Sequence, residues 1–363
     1  MKQAKGDCLM RYERNKYFNR ERKEVGSMKK VNIGVVGAGI YGNYHIRTYS
    51  CDPHVETVVF CDLNEERRAA TQNRYQIRGY ADVKEMITAE KLDAISIATP
   101  DPYHYEPARA AMEVGIKYLM IEKPLATSVE ECEELIAMAE KYGVQIAVDF
   151  HKRWDPAYNN MRDEILMDKE NIIRGYMSLD DVIDVPMNWF TWTDQSSPSW
   201  FLGVHCYDLI RYVSGSEVES VYAVGNKQVL KKQGYQTYDS IQAILTMQDG
   251  SSWTVENSWI LPNTYPKSND GQLVIVTEHK YLKNESYRGV KTYTDKKASL
   301  PNYIFMKFDE HHASGFGLEP MQDFVSDIVN QRSFRTNAYD GLQATRIAAA
   351  VHASAESGNV IHL

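Results

Sequence analysis

The segment Gly37-Ala38-Gly39-Ile40-Tyr41-Gly42 constrains this chain more than any other six residues. It follows a short apolar run, Val31–Val36, and opens a helical stretch over residues 40–49. A continuous apolar run of that length predicts a buried parallel strand. In a G-x-G-x-x-G turn the first glycine makes the turn and the second lets backbone approach a pyrophosphate. The third lets helix meet strand. Phosphates then sit at a helix N-terminus, where unpaired N–H groups and the dipole favour anions. Alone the pattern also fits a glycine-rich turn with no ligand. Here a strand precedes it, a helix follows, and Asp62 closes the second strand about twenty residues further on.

The same rhythm continues. Strands are expected at 56–61, 94–98, 118–121 and 145–148, with helices at 64–75, 102–114 and 128–142. Ser128 with Glu131 is a capping box, and Gly115 and Gly143 stop their helices. Alternating strands and helices predict a doubly wound parallel sheet. Past residue 149 the period changes. A helix at 155–167 leads to strands at 176–184, 218–224, 240–247, 252–259, 272–278 and 290–293, a mostly antiparallel sheet. Gln248-Asp249-Gly250-Ser251 is a hairpin turn. Late helices at 319–330 and 341–357 close the chain. The fold class is α/β, with a nucleotide-binding domain over 28–150 and a substrate-binding and oligomerisation domain over 151–363.

With 363 residues the chain exceeds what one core usually organises. Its net charge of −8 argues against a nucleic-acid partner. No apolar run is long enough to cross a bilayer. Five cysteines without CxxC spacing read as reduced thiols of a cytoplasmic protein, not as a disulfide frame or metal site. Residues 1–27 are basic and polar with no apolar signal core, and read as a disordered extension, with a basic interaction arm as the alternative. Met28 directly precedes the first strand, and translation is expected to begin there.

Asp62 selects the cofactor. A carboxylate there accepts hydrogen bonds from ribose hydroxyls and repels a 2′-phosphate, which favours NAD over NADP. Arg67 and Arg68 soften that preference, and Asn64 is the better helix cap. At Glu122-Lys123-Pro124 a charged lysine arrives where an apolar strand ends. In an open α/β sheet that end is where ligands bind, so Lys123 reads as a reagent.

The glycine turn, Thr99-Pro100 with His104, Glu122-Lys123-Pro124, Gly203-Val204-His205-Cys206-Tyr207-Asp208 and the late Asp340-Gly341 with Ala344 and Ile347 together resemble the Gfo/Idh/MocA family. These are relatives of glucose–fructose oxidoreductase and inositol dehydrogenase. The resemblance spans Met28 to the C-terminus. It implies an N-terminal Rossmann domain and a C-terminal α/β domain whose large, mostly antiparallel open sheet packs in homodimers or homotetramers. It also implies NAD(P)-linked chemistry on CH–OH groups of sugars, cyclitols and related polyols. The cofactor would be held by Gly37, Gly39, Ile40, Tyr41, Gly42, Asp62, Thr99, Pro100, His104, Glu122 and Lys123. The bond before Pro124 is commonly cis in relatives.

Oxidation of an alcohol removes a hydride from carbon and a proton from oxygen. By similarity Lys123 is the positive donor and His205 the proton acceptor; the alternative for His205 is a satisfied buried histidine. Many relatives carry an aspartate four residues before this histidine, where Phe201 stands here. Either another acid substitutes, with Asp181 and Asp184 as candidates and Asp208 placed more for a structural hydrogen bond, or Lys123 carries more of the acid–base work. The segment 187–201 interleaves aromatics with short polar groups, which suits a sugar ring or, alternatively, an interface. Asp184, Asn188, Trp192 and Phe201 are its substrate-binding candidates. His151, Lys152 and Arg153 leave the last strand of the first domain, with Arg153 able to pair a substrate carboxylate or to sit in an ion pair. His311-His312 has no matching ligand spacing, so no metal is expected.

Three functions fit. The first is NAD-dependent oxidation or reduction of a sugar, sugar acid or cyclitol. The second recycles NAD while a glycoside or anhydro sugar, such as a sialic acid derivative, is hydrolysed or rearranged. The third is a non-enzymatic NAD/sugar sensor, which would not need Lys123 and His205.

Overall fold

The computed structural model describes residues 29–287, 290–300, 306–308 and 312–363. The N-terminal extension with Met28, and His311, lie outside the described residues.

β1 (Val31–Val36) runs into the glycine turn and α1 (Ile40–Ser50) leaves it. Then follow β2 (Val55–Cys61), α2 (Glu65–Tyr75), β3 (Gly79–Tyr80), α3 (Val83–Glu90), β4 (Ala94–Ile97), α4 (Tyr105–Glu113), β5 (Tyr118–Glu122), α5 (Val129–Tyr142) and β6 (Gln145–Asp149). The strands form a parallel sheet in the order β3-β2-β1-β4-β5-β6. The order reverses between β1 and β4, and the crevice at that reversal is the ligand site of such sheets. The caps read from sequence are in place, except that the Ser128–Glu131 capping box forms only its Ser128 half. Asn64 accepts the Arg67 N–H at 2.7 Å, Ser128 accepts that of Glu131 at 3.3 Å, and Gly143 ends α5 at φ +64°.

The second half comprises α6 (Pro156–Asp168), β7 (Ile172–Val182), α7 (Val204–Ser214), β8 (Val218–Asn226), α8 (Val229–Lys232), β9 (Ser240–Met247), β10 (Ser252–Leu261), β11 (Asn269–Thr277) and β12 (Tyr281–Glu285). Two short ribbons pair β13 (Thr292–Tyr293) with β14 (Ala298–Ser299) and β15 (Met306–Phe308) with β16 (Ala313–Gly315). α9 (Glu319–Asn330), α10 (Ala338–Ser357) and β17 (Ile361–His362) end the chain. The larger sheet has the order β12-β11-β7-β10-β9-β8-β17. β7 and β10 pair in parallel and the other neighbours are antiparallel. The expected hairpin joins β9 to β10, with Gly250 at φ +86°.

Three features depart from the sequence reading. The strand expected at 290–293 is only one edge of the first ribbon. β3, α3, α8, β12 and β14 to β17 were not foreseen. α9 returns to the first sheet, where Leu318, Met321, Phe324, Val325 and Ile328 share a core with Val31, Ile33 and Val35. No helix among the described residues is long and apolar enough to cross a membrane.

Candidate active site

The glycine turn is constrained from inside and open on one side. Gly37 sits at φ +93°, and a Cβ there would lie 2.6 Å from the Ala98 oxygen. A Cβ on Gly42 would lie 1.9 Å from the Gly37 oxygen, so this glycine lets α1 close on the turn. A Cβ on Gly39 would meet nothing within 4 Å, so the protein itself does not require that glycine. α1 starts there with no capping side chain and no acid in its first turn, which leaves its N–H groups to an outside anion. Asp62 accepts the N–H groups of Ala38 and Asn64, both at 2.8 Å, which pins the carboxylate to the mouth of the turn. Arg67 Nη1 reaches the same carboxylate at 3.3 Å. Ile40 and Leu63 flank this mouth as exposed apolar side chains. Backbone donors, a fixed acid and apolar flanks fit a dinucleotide: α1 and Gly39 for the pyrophosphate, Asp62 for a ribose. When bound, its nicotinamide supplies the hydride acceptor or donor.

Thr99 and Pro100 follow β4, and His104 ties that turn to the lysine. Its ring nitrogens reach the Thr99 oxygen at 2.8 Å and the Pro124 oxygen at 2.5 Å. The Lys123–Pro124 bond is cis. Glu122, the last residue of β5, accepts from His45 Nε2 at 3.0 Å, and His45 Nδ1 meets Ser96 Oγ at 2.7 Å. Asp149, at the end of β6, is Glu122's partner across the sheet. Burial pushes Glu122 up, but the His45 hydrogen bond and the His45 and Lys123 charges outweigh it and hold it low. Burial and the Glu122 charge push Asp149 well up. His45 and Asp149 were missed in the sequence. Their one signal is a polar residue at a position where helix or strand should be buried.

Lys123 itself is buried at 6% exposure. Its ammonium donates to the Phe201 oxygen at 3.1 Å, lies 3.9 Å from the Phe201 ring centroid, and stands 3.9 Å from Asp101 Oδ1. Asp101, also unforeseen, accepts from Ser196 at 2.9 Å. Phe201 belongs to an aromatic wall with Phe190, Trp192 and Trp259, in which Phe190 and Trp192 stack at 4.2 Å.

His205 occupies the second position of α7, and its ring lies 4.7 Å from that of His151. Burial, then His151, Lys123 and Lys152, hold His205 well below its ordinary range. His151 is depressed in the same way, by burial, Lys152 and Lys123. Several buried polar atoms here have no hydrogen-bond partner: His151 Nε2, His205 Nδ1, Asp181 Oδ2, Trp259 Nε1 and Asp149 Oδ1. Such groups cost free energy unless something satisfies them, and their convergence beside Lys123 marks a ligand cleft.

Other candidates are engaged elsewhere. Arg153 is not open to a substrate carboxylate: its guanidinium binds Asp208 at 2.6 and 2.9 Å and Asp340 at 2.8 Å, the ion-pair alternative. That pairing also takes Asp208 out of contention as the missing acid. Asp184 accepts from Asn188 at 2.6 Å and from Trp189 Nε1 at 2.9 Å, at the rim.

Both halves match one family. The oxidoreductase-family model for the NAD-binding Rossmann fold, GFO_IDH_MocA, matches residues 31–150, and its C-terminal domain model matches 172–283. The chain belongs to the GFO/IDH/MocA oxidoreductase family. As in that family's description, residues 31–150 are an NAD-binding Rossmann domain. The uncharacterized oxidoreductase YrbE of Bacillus subtilis is 26% identical over 91% of this chain and 96% of its own length. The D-glucoside 3-dehydrogenase of Escherichia coli is 25% identical over 94% of this chain and 100% of its own. The crystal structure of myo-inositol 2-dehydrogenase from Lactobacillus plantarum has the same fold. Its TM-score is 0.79 at 22% identity, covering 92% of this chain and 100% of the other.

Proposed function

We propose that this protein is an NAD-dependent dehydrogenase that interconverts a hydroxyl and a carbonyl on a sugar, sugar acid or cyclitol. The observation that carries this reading is the buried Lys123 ammonium, held at the carboxyl end of β5 among buried polar atoms that have no partner. Lys123 donates to the reacting oxygen and stabilises alkoxide charge as it develops. His205 borders the same oxygen. Trp192 and Phe201 offer flat faces to a ring, and Asp184 with Asn188 forms the rim. Arg153 has no place in this reading. Family membership and relatives named for dehydrogenation of a glucoside and of myo-inositol support a cyclic polyol substrate.

The unpaired outer face of the larger sheet, with Ile173, Tyr222, Val224 and Ile244 exposed, supports a homodimer or homotetramer. The four described cysteines form no disulfide and are mostly buried, which suits a reducing, cytoplasmic setting.

The test is a panel of sugars, sugar acids and cyclitols with NAD, read for NADH absorbance and separately for product mass. NADH accumulation with Lys123-dependent turnover is expected. Product formed on catalytic NAD, with no net NADH, would mean redox-neutral recycling instead. NAD and sugar binding without turnover would mean a sensor.

A further inference from the structure

Building on the dehydrogenase reading, we infer that Asp181 is the proton acceptor of the reaction: its free Oδ2 receives the hydroxyl proton as the alcohol is oxidised. The inference starts from what stands at position 201. A phenylalanine there cradles Lys123 and offers His205 nothing. His205 Nδ1, the nitrogen an orienting carboxylate would hold, is buried without a partner. If Nε2 of this ring took a proton, Nδ1–H would be left buried with no acceptor, and a cation would be added beside Lys123 and Lys152. The cleft therefore disfavours His205 as the proton's resting place.

Asp181 is placed for the task. On β7 the row Met177, Leu179, Asp181 shares one face, and all three are at most 4% exposed. The first two fill the core. The third carries a carboxylate into the cleft at the strand's end. Its Oδ2 is buried and, among the described residues, accepts no full hydrogen bond. An acceptor in that state is expected to meet a donor on the ligand. The groups that face it are Lys123 from the end of β5, Lys152 after β6, Tyr41 from α1, Trp259 from β10 and Asp180 beside it. The Trp259 indole N–H lies near enough to this carboxyl to pull it down slightly, but neither Nε1 nor Oδ2 reaches full hydrogen-bond geometry. Protonating Asp181 removes a buried negative charge, whereas protonating His205 creates a buried positive one.

The step balances. The substrate C–H bond breaks with its electron pair, which leaves as hydride to the oxidised nicotinamide. The O–H bond breaks, its electrons form the C=O bond, and the proton ends on Asp181 Oδ2. Alcohol and NAD become carbonyl and NADH, and the carboxylate becomes a carboxylic acid. Lys123 remains charged throughout and stabilises the oxygen. Reduction runs the same path backwards.

Burial pushes the carboxyl up to about 8 against the pull of Lys123. Only the ionised form accepts a proton, so alcohol oxidation is expected to rise about tenfold per pH unit below that value and to level off above it. The kinetic test uses whichever alcohol of the sugar, sugar-acid and cyclitol panel the full chain oxidises. Asp181→Asn is expected to lower kcat about 100-fold and to abolish the rising limb. His205→Gln lowers the rate but leaves that limb in place. NADH affinity, read by fluorescence, stays unchanged in Asp181→Asn, which excludes misfolding.

A second readout needs no substrate. The infrared difference between wild type and Asp181→Asn is expected to contain a carboxylic-acid C=O band that fades as pH rises through about 8. The inference is overturned if Asp181→Asn keeps kcat within about threefold of wild type. It is also overturned if His205→Gln alone removes the limb, or if the infrared band is absent. Full activity in Lys123→Ala, or no NADH from any alcohol, would instead overturn the dehydrogenase reading, and the infrared titration would still decide whether Asp181 exchanges a proton in the cleft.

Discussion

Lys123 Nζ stands 3.9 Å from the centroid of the Phe201 ring and 3.1 Å from the carbonyl oxygen of the same residue. One residue thus fixes both the depth and the direction of the ammonium. A cation over an aromatic face is worth about 2 kcal/mol where both are desolvated. Phe201→Leu keeps the apolar bulk and the carbonyl but removes the π face. It is expected to lower kcat about tenfold with NADH affinity unchanged, measured by steady-state kinetics and fluorescence titration. Unaltered kcat would show that the ring is only packing.

The glycine turn separates fold from ligand. Gly42→Ala places a methyl 1.9 Å from the Gly37 oxygen, so α1 must move. It is expected to cost about 3 kcal/mol in a denaturant titration and to abolish NADH binding. Gly39→Ala adds a methyl with nothing within 4 Å. Its melting temperature should match wild type while NADH affinity falls at least about tenfold, because the methyl occupies the approach to the pyrophosphate. Equal affinity in Gly39→Ala would remove the phosphates from this turn.

The doubly wound sheet was legible because its strands are continuous apolar runs punctuated by glycine turns and caps. α3 was missed although Asp82 caps it by accepting from Glu85 at 2.8 Å, a Ser128-type signal on a helix of only 8 residues against 14 in α5. The edge strands β12 and β17 carry no apolar row of their own: β12 alternates exposed and half-buried residues. In the site, Lys123 and His205 were legible through motif and position. Asp101, His45 and Asp149 were not, because each is a polar side chain buried only by tertiary contact. Arg153 illustrates the converse. A charge leaving the last strand of the sheet reads as cleft-facing, and only the fold brings Asp208 and Asp340 to it.

That ion triad makes its own prediction. Arg153 is 7% exposed, and its removal would leave Asp208 and Asp340 with only the more distant Arg211, at 4.0 and 3.4 Å, as a shared cation. Breaking a buried pair from one side costs about 3–5 kcal/mol. Arg153→Ala should therefore destabilise by roughly that amount in chemical denaturation. The fraction that stays folded should keep its KM. A large rise in KM at normal stability would return Arg153 to the substrate.

Stability should depend on pH in two opposed ways. Asp180 is pushed up to about 7 by burial, with Asp270 and Glu256 adding to it, and Asp181 to about 8 by burial. A carboxyl raised in the folded state binds its proton more tightly there than in the unfolded chain. Its contribution is complete below the unfolded value near 3.8 and is lost as pH rises through 7 to 8. His151 and His205 are depressed by burial, so the unfolded chain binds protons first and stability falls as pH drops below about 6.5. The expected profile has its maximum on the acid side of neutrality and declines toward pH 9. Asp181→Asn removes one buried charge and should raise the melting temperature at pH 9, by the equivalent of about 2 kcal/mol, with little change at pH 5. Calorimetry at the two pH values measures it. An Asp181→Asn protein no more stable than wild type at pH 9 would mean that this carboxylate is already satisfied in the native cleft, and so has no vacancy for a substrate proton.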